Sequence, residues 1–431
     1  MRPRVAVLHH PRSFFALDLF REVGECAELV WVVDEACAGD PTMRRILPRL
    51  GTVVDISGLD VDTAAKCLSQ ARLDGIVSFV DDNVVTAALL ADRLGLPYHS
   101  PEVARVLVDK RSQRAALDSE GVPGPGFWLL AAGSRTADVA ALAERISYPV
   151  VLKPAEGSGS RGILLIGTAA ELVSAVDEGD PATGYIVEEY LDDDPDRSHG
   201  FASYFSIESV ITAGHTDHVA VTGRFALAAP FRETGNFIPG VLEPAMRAPV
   251  LAIVDDAIRA LGITSAVMHT EIKQTPDGPK LVEVNGRLGG RPPFVLGSVS
   301  DINLFQVACE VAVGDAVTVE NLATCREVGF WRMIQPPQTA RRVKAIDGVK
   351  DISQLPGVDS VSLDRHPGDT VDWHAGTASQ VVTVRGRVAD HKTLAQVINS
   401  IDQLLRIDYE SADDRGPSVV RRVFVAQSRP S

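Results

Sequence analysis

The first hundred residues alternate short apolar runs, rich in β-branched residues, with longer segments of helical periodicity. Short apolar runs of this kind predict buried strands, and apolar positions that recur every three to four residues predict helices. This alternation predicts an open, doubly wound parallel sheet with helices on both faces. The predicted strands are 5–9, 29–34, 53–57 and 75–80, and the predicted helices include 60–72 and 82–95.

A second pattern surrounds the proline- and glycine-rich joint GVPGPG at 121–126, which indicates a boundary. Before the joint, a helix is predicted with Asp109 and Lys110 near its middle. After the joint, strands and helices follow in mixed order. The predicted strands are 126–130, 149–153, 162–166 and 185–190, and the predicted helices are 136–147 and 169–178.

The rest of the chain predicts longer strands, a helical layer and a small C-terminal unit. Residues 201–228 alternate partly, as strands do, and a Pro-Asp-Gly turn at 276–278 separates strands 265–274 and 280–285. Helices are predicted at 245–261 and 391–406. The expected fold class is therefore multidomain α/β and α+β, divided at 1–100, 101–190, 191–315 and 316–431.

The composition of the chain mainly excludes certain classes of function. The formal charge of the 431 residues is -15, and a negative surface repels nucleic acid. Five scattered cysteines without a CxxC pair argue against a zinc site or a disulfide framework. The N-terminus does not resemble a signal peptide, and no apolar stretch approaches the length of a membrane helix, so a cytoplasmic location without membrane contact is expected.

A glycine-rich loop follows an apolar strand that ends in Lys153. Glycines at 157, 159 and 162 allow backbone N–H groups to approach polyphosphate oxygens, and Lys153 adds a positive charge. The loop opens another strand, whereas a dinucleotide-binding loop opens a helix and a Walker loop carries Lys-Ser/Thr after its last glycine. The first strand of the chain also lacks the dinucleotide fingerprint, which argues against a dehydrogenase. Taken alone, the segment fits an ordinary hairpin turn equally well.

The clearest chemical signal is HTEIK…LVEVNGRLGG, within residues 265–290. Alternate side chains of a strand share a face, so antiparallel pairing would bring Glu271 opposite Glu283 with Asn285 beside them. Two carboxylates and an amide oxygen suit Mg²⁺, with Mn²⁺ as an alternative, far better than zinc. Arg287 lies two residues after Asn285, so the same alternation places it on the face of Glu283 and Asn285. There it could stabilise charge at a reacting centre. The alternative interpretation is a solvated hairpin face with ordinary charges.

Weaker signals come from other polar residues near apolar strands. YIVEEYL at 185–191 could present acids to an adenine or ribose, or could be an exposed strand end. Asp109 and Lys110 could be a surface ion pair. Gly289 and Gly290 leave room for a substrate near the backbone, and four further charged residues are candidate substrate contacts that spacing cannot rank: Glu208, Arg224, Arg232 and Glu233.

These segments occur in the order found in the ATP-grasp superfamily, and roughly residues 1–330 carry the resemblance. The chain resembles the carboxylate–amine ligases of the L-amino-acid ligase (dipeptide synthetase) type, which share the motifs FSIESVI (205–211), FRETGNFIPG (231–240) and MHTEIK (268–273). The resemblance implies a pre-ATP-grasp domain, two ATP-grasp lobes and a closing domain. An acidic loop at 191–200, in place of a compact glycine turn, leaves the ribose-binding acid open between the hinge and Glu208.

The resemblance also implies roles for individual residues. Arg287 and Lys153 would be catalytic, and the metal would be held by Glu271, Glu283 and Asn285. The nucleotide would contact Lys110, Lys153, Gly157, Ser158, Gly159, Gly162, Glu188, Glu189 and Glu208. The substrates would contact Glu233 and His269, to which the sequence itself adds Arg232, Gly289 and Gly290 as candidate substrate contacts.

The predicted function is an ATP- and magnesium-dependent ligase that joins a small-molecule carboxylate to an amine through an acyl phosphate. Homodimers are common among the ligases that the chain resembles, so the resemblance implies a possible homodimer. One alternative is an ATP-grasp carboxylase or purine-pathway ligase, which would use bicarbonate or a nucleotide precursor. Another is a non-catalytic nucleotide-binding regulator. The complete set of Glu271, Glu283, Asn285 and Arg287 argues against the regulator, because simple binding does not require it.

Overall fold

The N-terminal sheet buries both of its faces. The computed structural model of the chain describes residues 2–11, 16–38, 41–194 and 200–411. Val5 and Val7 of the first strand pack into one hydrophobic cluster, and Ala6 and Leu8 pack into another. Since alternate side chains point to opposite faces, helices cover the sheet on both sides, as predicted. The elements are β1 (Arg4–Leu8), α1 (Ala16–Val23), β2 (Glu28–Val33), α2 (Glu35–Ala38), α3 (Pro41–Leu50), β3 (Thr52–Asp55), α4 (Val61–Ser69), β4 (Gly75–Ser78) and α5 (Val84–Leu94).

All four strands of this sheet are parallel and lie in the order β3-β2-β1-β4. The sequence prediction of a parallel sheet is therefore confirmed. A short 3₁₀ turn, Asp81–Asn83, follows β4 at the carboxyl edge of the sheet. Side chains of that turn can therefore contact residues of other regions that pack against this edge.

The next region forms a small antiparallel sheet with two helices packed on it. Its strand order is β5-β8-β6-β7, so β6 and β7 form a hairpin around the glycine-rich loop. The region contains α6 (Pro101–Val108), α7 (Lys110–Ser119), β5 (Phe127–Leu130), α8 (Thr136–Ala143), β6 (Val150–Pro154), β7 (Leu164–Ile166), α9 (Ala169–Asp177) and β8 (Tyr185–Glu189).

The single helix predicted around Asp109 and Lys110 is wrong, because two helices meet there. Asp109 has extended backbone angles and its carboxylate accepts hydrogen bonds from the backbone N–H groups of Arg111 and Ser112. Asp109 is thus the N-cap of α7, a position that aspartate favours because its side chain satisfies N–H groups that the helix leaves unpaired. Lys110 is the first residue of α7.

An eight-stranded antiparallel sheet forms the largest layer, in the order β13-β12-β9-β10-β11-β14-β17-β16. Strands on both sides of residue 316 belong to it, so it continues without a break into the C-terminal region. The elements are β9 (Tyr204–Thr212), β10 (His215–Arg224), β11 (Gly235–Ile238), α10 (Pro244–Ala260), β12 (Ala266–Thr275), β13 (Gly278–Asn285), α11 (Pro292–Val299), α12 (Leu304–Ala312), β14 (Val328–Ile334), β15 (Ala340–Asp347), α13 (Val349–Ile352), β16 (Val358–Leu363), β17 (Val382–Val388), α14 (His391–Leu404) and β18 (Arg406–Ser411).

Two smaller features complete the C-terminal region. β15 and β18 form a separate two-stranded sheet, and a bent 3₁₀ segment, Trp373–Ser379, precedes β17. Among the described residues no single helix is long and apolar enough to span a membrane. In the same residues, only α11 and α12 taken together reach that length and apolar composition, and they are bent by 117° relative to each other. Of the acidic loop predicted at 191–200, residues 195–199 lie outside the described residues, as do residues 412–431 of the predicted C-terminal domain.

Candidate active site

The hairpin of β12 and β13 brings the predicted metal ligands together. The two strands are antiparallel, and their register places Glu271 opposite Glu283 and His269 opposite Asn285. Residues directly opposite one another project from the same face, so the two carboxylates and the amide share one surface. The structure thus confirms the predicted strand pairing, while the metal-binding role of these residues stays a proposal.

The chemistry of this group fits Mg²⁺. Burial favours a neutral Glu271 carboxyl, but hydrogen bonding and charge from His269, with a hydrogen bond from Tyr204, lower its pKa to about 2. Glu271 is therefore ionised at neutral pH, as an oxygen ligand must be. Among the described residues no group of three His, Cys, Asp or Glu side chains could hold a metal. A site of two carboxylates and one amide suits a cation that takes its remaining oxygens from phosphates and water.

Lys110 lies between this hairpin and the glycine-rich loop. Its Nζ is 2.9 Å from Glu283 Oε1 and donates to the Gly157 carbonyl at 2.6 Å. Burial disfavours the charged lysine, but the Glu283 carboxylate raises its pKa above the ordinary value. The Asp109 cap fixes the start of α7, so the interpretation of Asp109 and Lys110 as a surface ion pair is wrong. Lys110 is a cation that faces the cleft between the two antiparallel sheets.

Lys153 is held by the first of the two hinge acids. Its Nζ is 2.5 Å from Glu188 Oε2, and Arg114 Nε approaches the other oxygen at 3.0 Å. Arg114 also donates to the carbonyls of Leu281 and Val282 on β13 and so connects the two sheets. Both Glu188 oxygens are therefore engaged by buried cations.

This pairing separates the roles of the two hinge acids. Glu188 is buried with Lys153, whereas Glu189 is exposed and accepts a hydrogen bond from the Gly126 N–H at 3.2 Å. We therefore assign Glu188 to the positioning of Lys153, and Glu189 remains the candidate for the adenine–ribose end. The sequence analysis missed Arg114, because on a helix its charge resembles that of any solvent-exposed arginine.

The glycine-rich loop needs glycine for its backbone shape. Gly157, Gly159 and Gly162 have φ values of 120°, 67° and 68°, a region that side chains strongly disfavour. The loop is covered by the segment Trp373–Ser379, where the N–H of Thr377 donates to the Gly159 carbonyl at 2.8 Å. The C-terminal region therefore contacts the predicted phosphate loop directly.

Arg287 is partly buried beside the metal candidates. Its guanidinium donates to both carboxylate oxygens of Asp81, at 3.1 and 2.5 Å, and to Asn285 Oδ1 at 3.1 Å. Asp81 belongs to the 3₁₀ turn after β4, so the N-terminal domain orients an arginine of the large sheet. The sequence offered no signal for Asp81, since 206 residues separate it from Arg287.

His269 connects the metal candidates to the deeper part of the site. Its Nδ1 is 2.8 Å from Glu208 Oε1, and its Nε2 is 3.4 Å from Glu271 Oε1. Burial opposes protonation of this imidazole, but Glu208 and Glu271 outweigh burial and raise its pKa to about 9. Glu208 also accepts hydrogen bonds from the hydroxyls of Ser206 and Thr222. Glu208 is completely buried and its carboxylate is hydrogen-bonded within the protein, and its role as a nucleotide ligand stays a prediction.

Beyond His269, charged side chains continue along the large sheet. Arg224 Nη2 lies 3.1 Å from His269 Nε2, and Arg224 Nε lies 3.4 Å from Glu233 Oε1. Arg291 is close enough to Glu233 and Arg224 for their charges to influence its pKa, which burial lowers. The structure thus groups two predicted substrate contacts, His269 and Glu233, with two arginines.

Two other predicted substrate contacts, Arg232 and Gly289, also make close contacts within the fold. Arg232 Nε and Nη2 donate to the Ala229 carbonyl at 2.9 and 2.7 Å, and Nη1 donates to the Pro336 carbonyl at 2.9 Å. Its guanidinium therefore holds backbone carbonyls in place, and its contact with a substrate stays a prediction. A Cβ on Gly289 would lie 2.8 Å from His269 Nδ1, so the packing of His269 also requires glycine at this position. Gly290 does face open space, as predicted.

Comparison with known proteins supports the family suggested by these motifs. Residues 146–292 match the profile of the ATP-grasp domain family. The chain is 22% identical over 351 residues to an L-arginine-specific L-amino acid ligase of Bacillus subtilis, with 74% of this chain and 77% of the relative covered. It is 30% identical over 242 residues to carnosine synthase 1 of Mus musculus, covering 51% of this chain but only 28% of that larger protein.

A solved structure extends the likeness to the whole fold. The crystal structure of an L-amino acid ligase from Bacillus licheniformis superimposes with a TM-score of 0.76, at 20% identity. The alignment covers 95% of this chain and 99% of that protein. The architecture of that ligase is therefore shared across nearly all of this chain.

Proposed function

Since residues 146–292 form an ATP-grasp domain, we propose that this chain is an ATP-dependent carboxylate–amine ligase that forms an amide bond. The observation that carries the proposal is the register of β12 and β13, which places Glu271 opposite Glu283 within reach of Lys110 and the glycine-rich loop. One face therefore offers oxygen ligands and cations for a metal-bound triphosphate.

Lys110 and Lys153 would bind the phosphates, and Glu271, Glu283 and Asn285 would hold Mg²⁺. When bound, Mg²⁺ would neutralise charge on the phosphate oxygens. The protein must then place a carboxylate oxygen in line with the γ-phosphorus and the departing ADP. Lys110 suits this task because it lies between the two sheets and is held in place by Glu283.

In the first step, the substrate carboxylate attacks the γ-phosphorus, the bond to the β-phosphate oxygen breaks, and ADP leaves. In the second step, a neutral amine attacks the acyl carbon, the amide forms, and phosphate and a proton are released. Arg287 can stabilise the oxyanion of the tetrahedral intermediate, because Asp81 and Asn285 hold its guanidinium in a fixed orientation.

The acyl phosphate must be shielded from water during the interval between the two steps. The segment Trp373–Ser379 lies over the glycine-rich loop and hydrogen-bonds to Gly159. Together the loop and this segment form a cover over the phosphate end of the cleft. We propose that closure of this cover excludes water while the acyl phosphate exists.

The test is ADP release with Mg·ATP across all pairs of the twenty amino acids, followed by mass spectrometry of every active pair. We expect ADP release together with a product that is lighter by one water than the sum of its two substrates. Release of ADP with bicarbonate or a nucleotide precursor instead would indicate the carboxylase or purine-pathway alternative. Nucleotide binding without ADP release under any of these conditions would contradict the ligase proposal.

A further inference from the structure

The segment Trp373–Ser379, which covers the glycine-rich loop, also contacts the connection between β10 and β11. One residue, Thr377, makes both contacts, and it is only 6% exposed. Its backbone N–H donates to the Gly159 carbonyl at 2.8 Å, and its side-chain Oγ1 accepts from the backbone N–H of Glu233 at 3.3 Å. Thr377 therefore joins the predicted phosphate loop to a predicted substrate contact.

A second connection runs parallel to the first through Gln335, a buried residue directly after β14. Its Nε2 donates to the Glu233 carbonyl at 2.7 Å and to the Thr377 carbonyl at 3.0 Å, and its Oε1 accepts from the Ser379 hydroxyl at 2.9 Å. Buried polar groups that are all paired in this way hold one geometry, because any shift leaves a group without its partner. Both backbone polar groups of Glu233 are thus held by residues that bind the covering segment.

The glycine-rich loop is the part of this network that a bound nucleotide would change. Space is open around the Cα atoms of Gly157 and Gly159, and Lys110 Nζ donates to the Gly157 carbonyl. Phosphate oxygens bound by the loop would compete for Lys110 and would fix the backbone N–H groups of the loop. A change at Gly157 reaches Gly159 along the backbone, and from Gly159 it reaches Thr377 through a hydrogen bond.

We propose that Thr377 is a positioning residue through which nucleotide binding at the glycine-rich loop and substrate binding at Glu233 strengthen each other, an inference that rests on the ligase function above. A bound nucleotide fixes the loop, the loop fixes Thr377, and Thr377 fixes the backbone of Glu233. The Glu233 carboxylate, whose Oε1 lies 3.4 Å from Arg224 Nε, then meets the substrate in one orientation. Coupling between two binding sites is reciprocal, so a bound substrate raises the affinity for the nucleotide by the same factor.

The first measurement is amide hydrogen exchange of the full chain with and without Mg²⁺ and a non-hydrolysable ATP analogue, which requires no knowledge of the substrate. Peptides that contain residues 226–238 report on Glu233. In wild type we expect the analogue to slow exchange in these peptides about 10-fold, within the range typical of coupled sites. Thr377→Val keeps the shape and the N–H but removes Oγ1, so this protection should fall. Thr377→Ser retains Oγ1 and should retain the protection.

The parallel connection and a matched threonine sharpen the test. Gln335→Met removes the second connection, so Thr377→Val combined with Gln335→Met should lose nearly all of the protection at 226–238, more than either change alone. Thr212→Val is the control, because Thr212 is a buried threonine of β9 whose hydroxyl donates to the Val317 carbonyl, outside this network. Peptides that contain residues 155–163 should be protected by the analogue in every variant, which shows that each variant is folded and binds nucleotide.

The ligation reaction supplies a second readout. With an active pair of substrates and saturating Mg·ATP, Thr377→Val should raise the KM for the substrate that contacts Glu233 about 5-fold or more, since typical couplings begin near that factor. The kcat should change little, because Thr377 does not contact the reacting atoms in this arrangement. Thr377→Ser should restore the KM.

Three results would overturn the proposal. The analogue could leave exchange at 226–238 unchanged in wild type, the double variant could retain full protection there, or the analogue could fail to protect the glycine-rich loop itself. Protection that depends on Thr377 in a protein that releases no ADP with any substrate pair would refute the ligase function and leave the coupling standing. Ligation with the same KM values in Thr377→Val and wild type, and with equal protection, would do the reverse.

Discussion

Glu283 has a partner on each side of the cleft. It faces Glu271 across the hairpin, and its Oε1 lies 2.9 Å from Lys110. Two facing carboxylates repel each other unless cations lie beside them, and here Lys110 lies beside Glu283 and the protonated His269 lies beside Glu271. Each carboxylate still has oxygen lone pairs with which it can coordinate a divalent cation.

We expect Glu283→Gln to reduce ADP release about 100-fold or more, since even groups that only orient metal ligands contribute 10- to 100-fold at metal sites. The mutant keeps the side-chain shape and removes the charge. Turnover should be measured at several Mg²⁺ concentrations, with Glu102→Gln, an exposed helix position, as the control. Activity near that of wild type would rule out Glu283 as a ligand.

Glu188 and Lys153 should respond differently to mutation, although they form one ion pair. Lys153→Ala leaves Glu188 paired with Arg114, so stability should change little while ATP affinity falls. Glu188→Gln leaves two buried cations without an acid and should destabilise the protein by about 3 kcal/mol. Urea unfolding and calorimetry with ATP separate the two effects. Equal loss of stability in both variants would contradict the assigned roles.

Residue type and spacing predicted which polar residues pair across the hairpin, but not what surrounds them. Alternation along 265–285 was sufficient to pair Glu271 with Glu283, because a strand has only two faces. The same alternation could not show that Glu208 is buried beneath His269, since that depends on which strand becomes the neighbour of β12. Arg291 directly follows the quoted motif, but the absence of an acceptor for its Nε depends on the folded site alone.

At the level of elements, the hairpins were predictable and the interactions between distant elements were not. The Pro-Asp-Gly turn and the glycine-rich loop are local signals, and both are found between the expected strands. The break between α6 and α7 was missed because helical periodicity continues through Asp109, and only the cap geometry reveals it. The covering segment Trp373–Ser379 lies more than 200 residues beyond the loop it contacts.

Gly376 offers a test of this cover. Its φ is 66°, and a Cβ there would collide with the carbonyl oxygen of Gly159. Gly376→Ala should therefore push the segment off the glycine-rich loop, raise the KM for ATP several-fold and increase ATP hydrolysis that is not coupled to product. Gly368→Ala is a matched control, because Gly368 also has a positive φ, 97°, but faces open space.

The measurement compares ADP formed with amide formed for both variants. If the ratio of amide formed to ADP formed falls below that of wild type in Gly376→Ala but not in Gly368→Ala, the segment shields the site from water. If Gly368→Ala behaves in the same way, strain in the backbone rather than contact with Gly159 is responsible. An unchanged ratio in Gly376→Ala would show that the segment does not exclude water.

At the scale of the whole molecule, the site is assembled from three regions. The N-terminal sheet contributes Asp81, the small antiparallel sheet contributes Lys153 and the glycine-rich loop, and the large sheet contributes the metal candidates. The side chains that cross between regions are buried or partly buried, so they hold the regions in a defined geometry. Arg114 connects the small sheet to the large sheet, because it donates to Glu188 and to carbonyls of β13. The ion pair of Asp81 and Arg287 connects the N-terminal domain to the large sheet.

If Arg287 acts as proposed, its ion pair with Asp81 makes the N-terminal domain part of the catalytic apparatus. Asp81→Asn keeps the size of the side chain but removes the charge that orients the guanidinium, so we expect kcat to fall about 10-fold or more with little change in the KM for ATP. Asp62→Asn is the control, because Asp62 forms an exposed ion pair with Arg93 in the same domain. Exposed pairs of this kind contribute little. A fall in kcat confined to Asp81→Asn, with nucleotide affinity preserved, means that the N-terminal domain positions Arg287 at the reacting centre. A kcat equal to that of the control means that the domain only supports the fold.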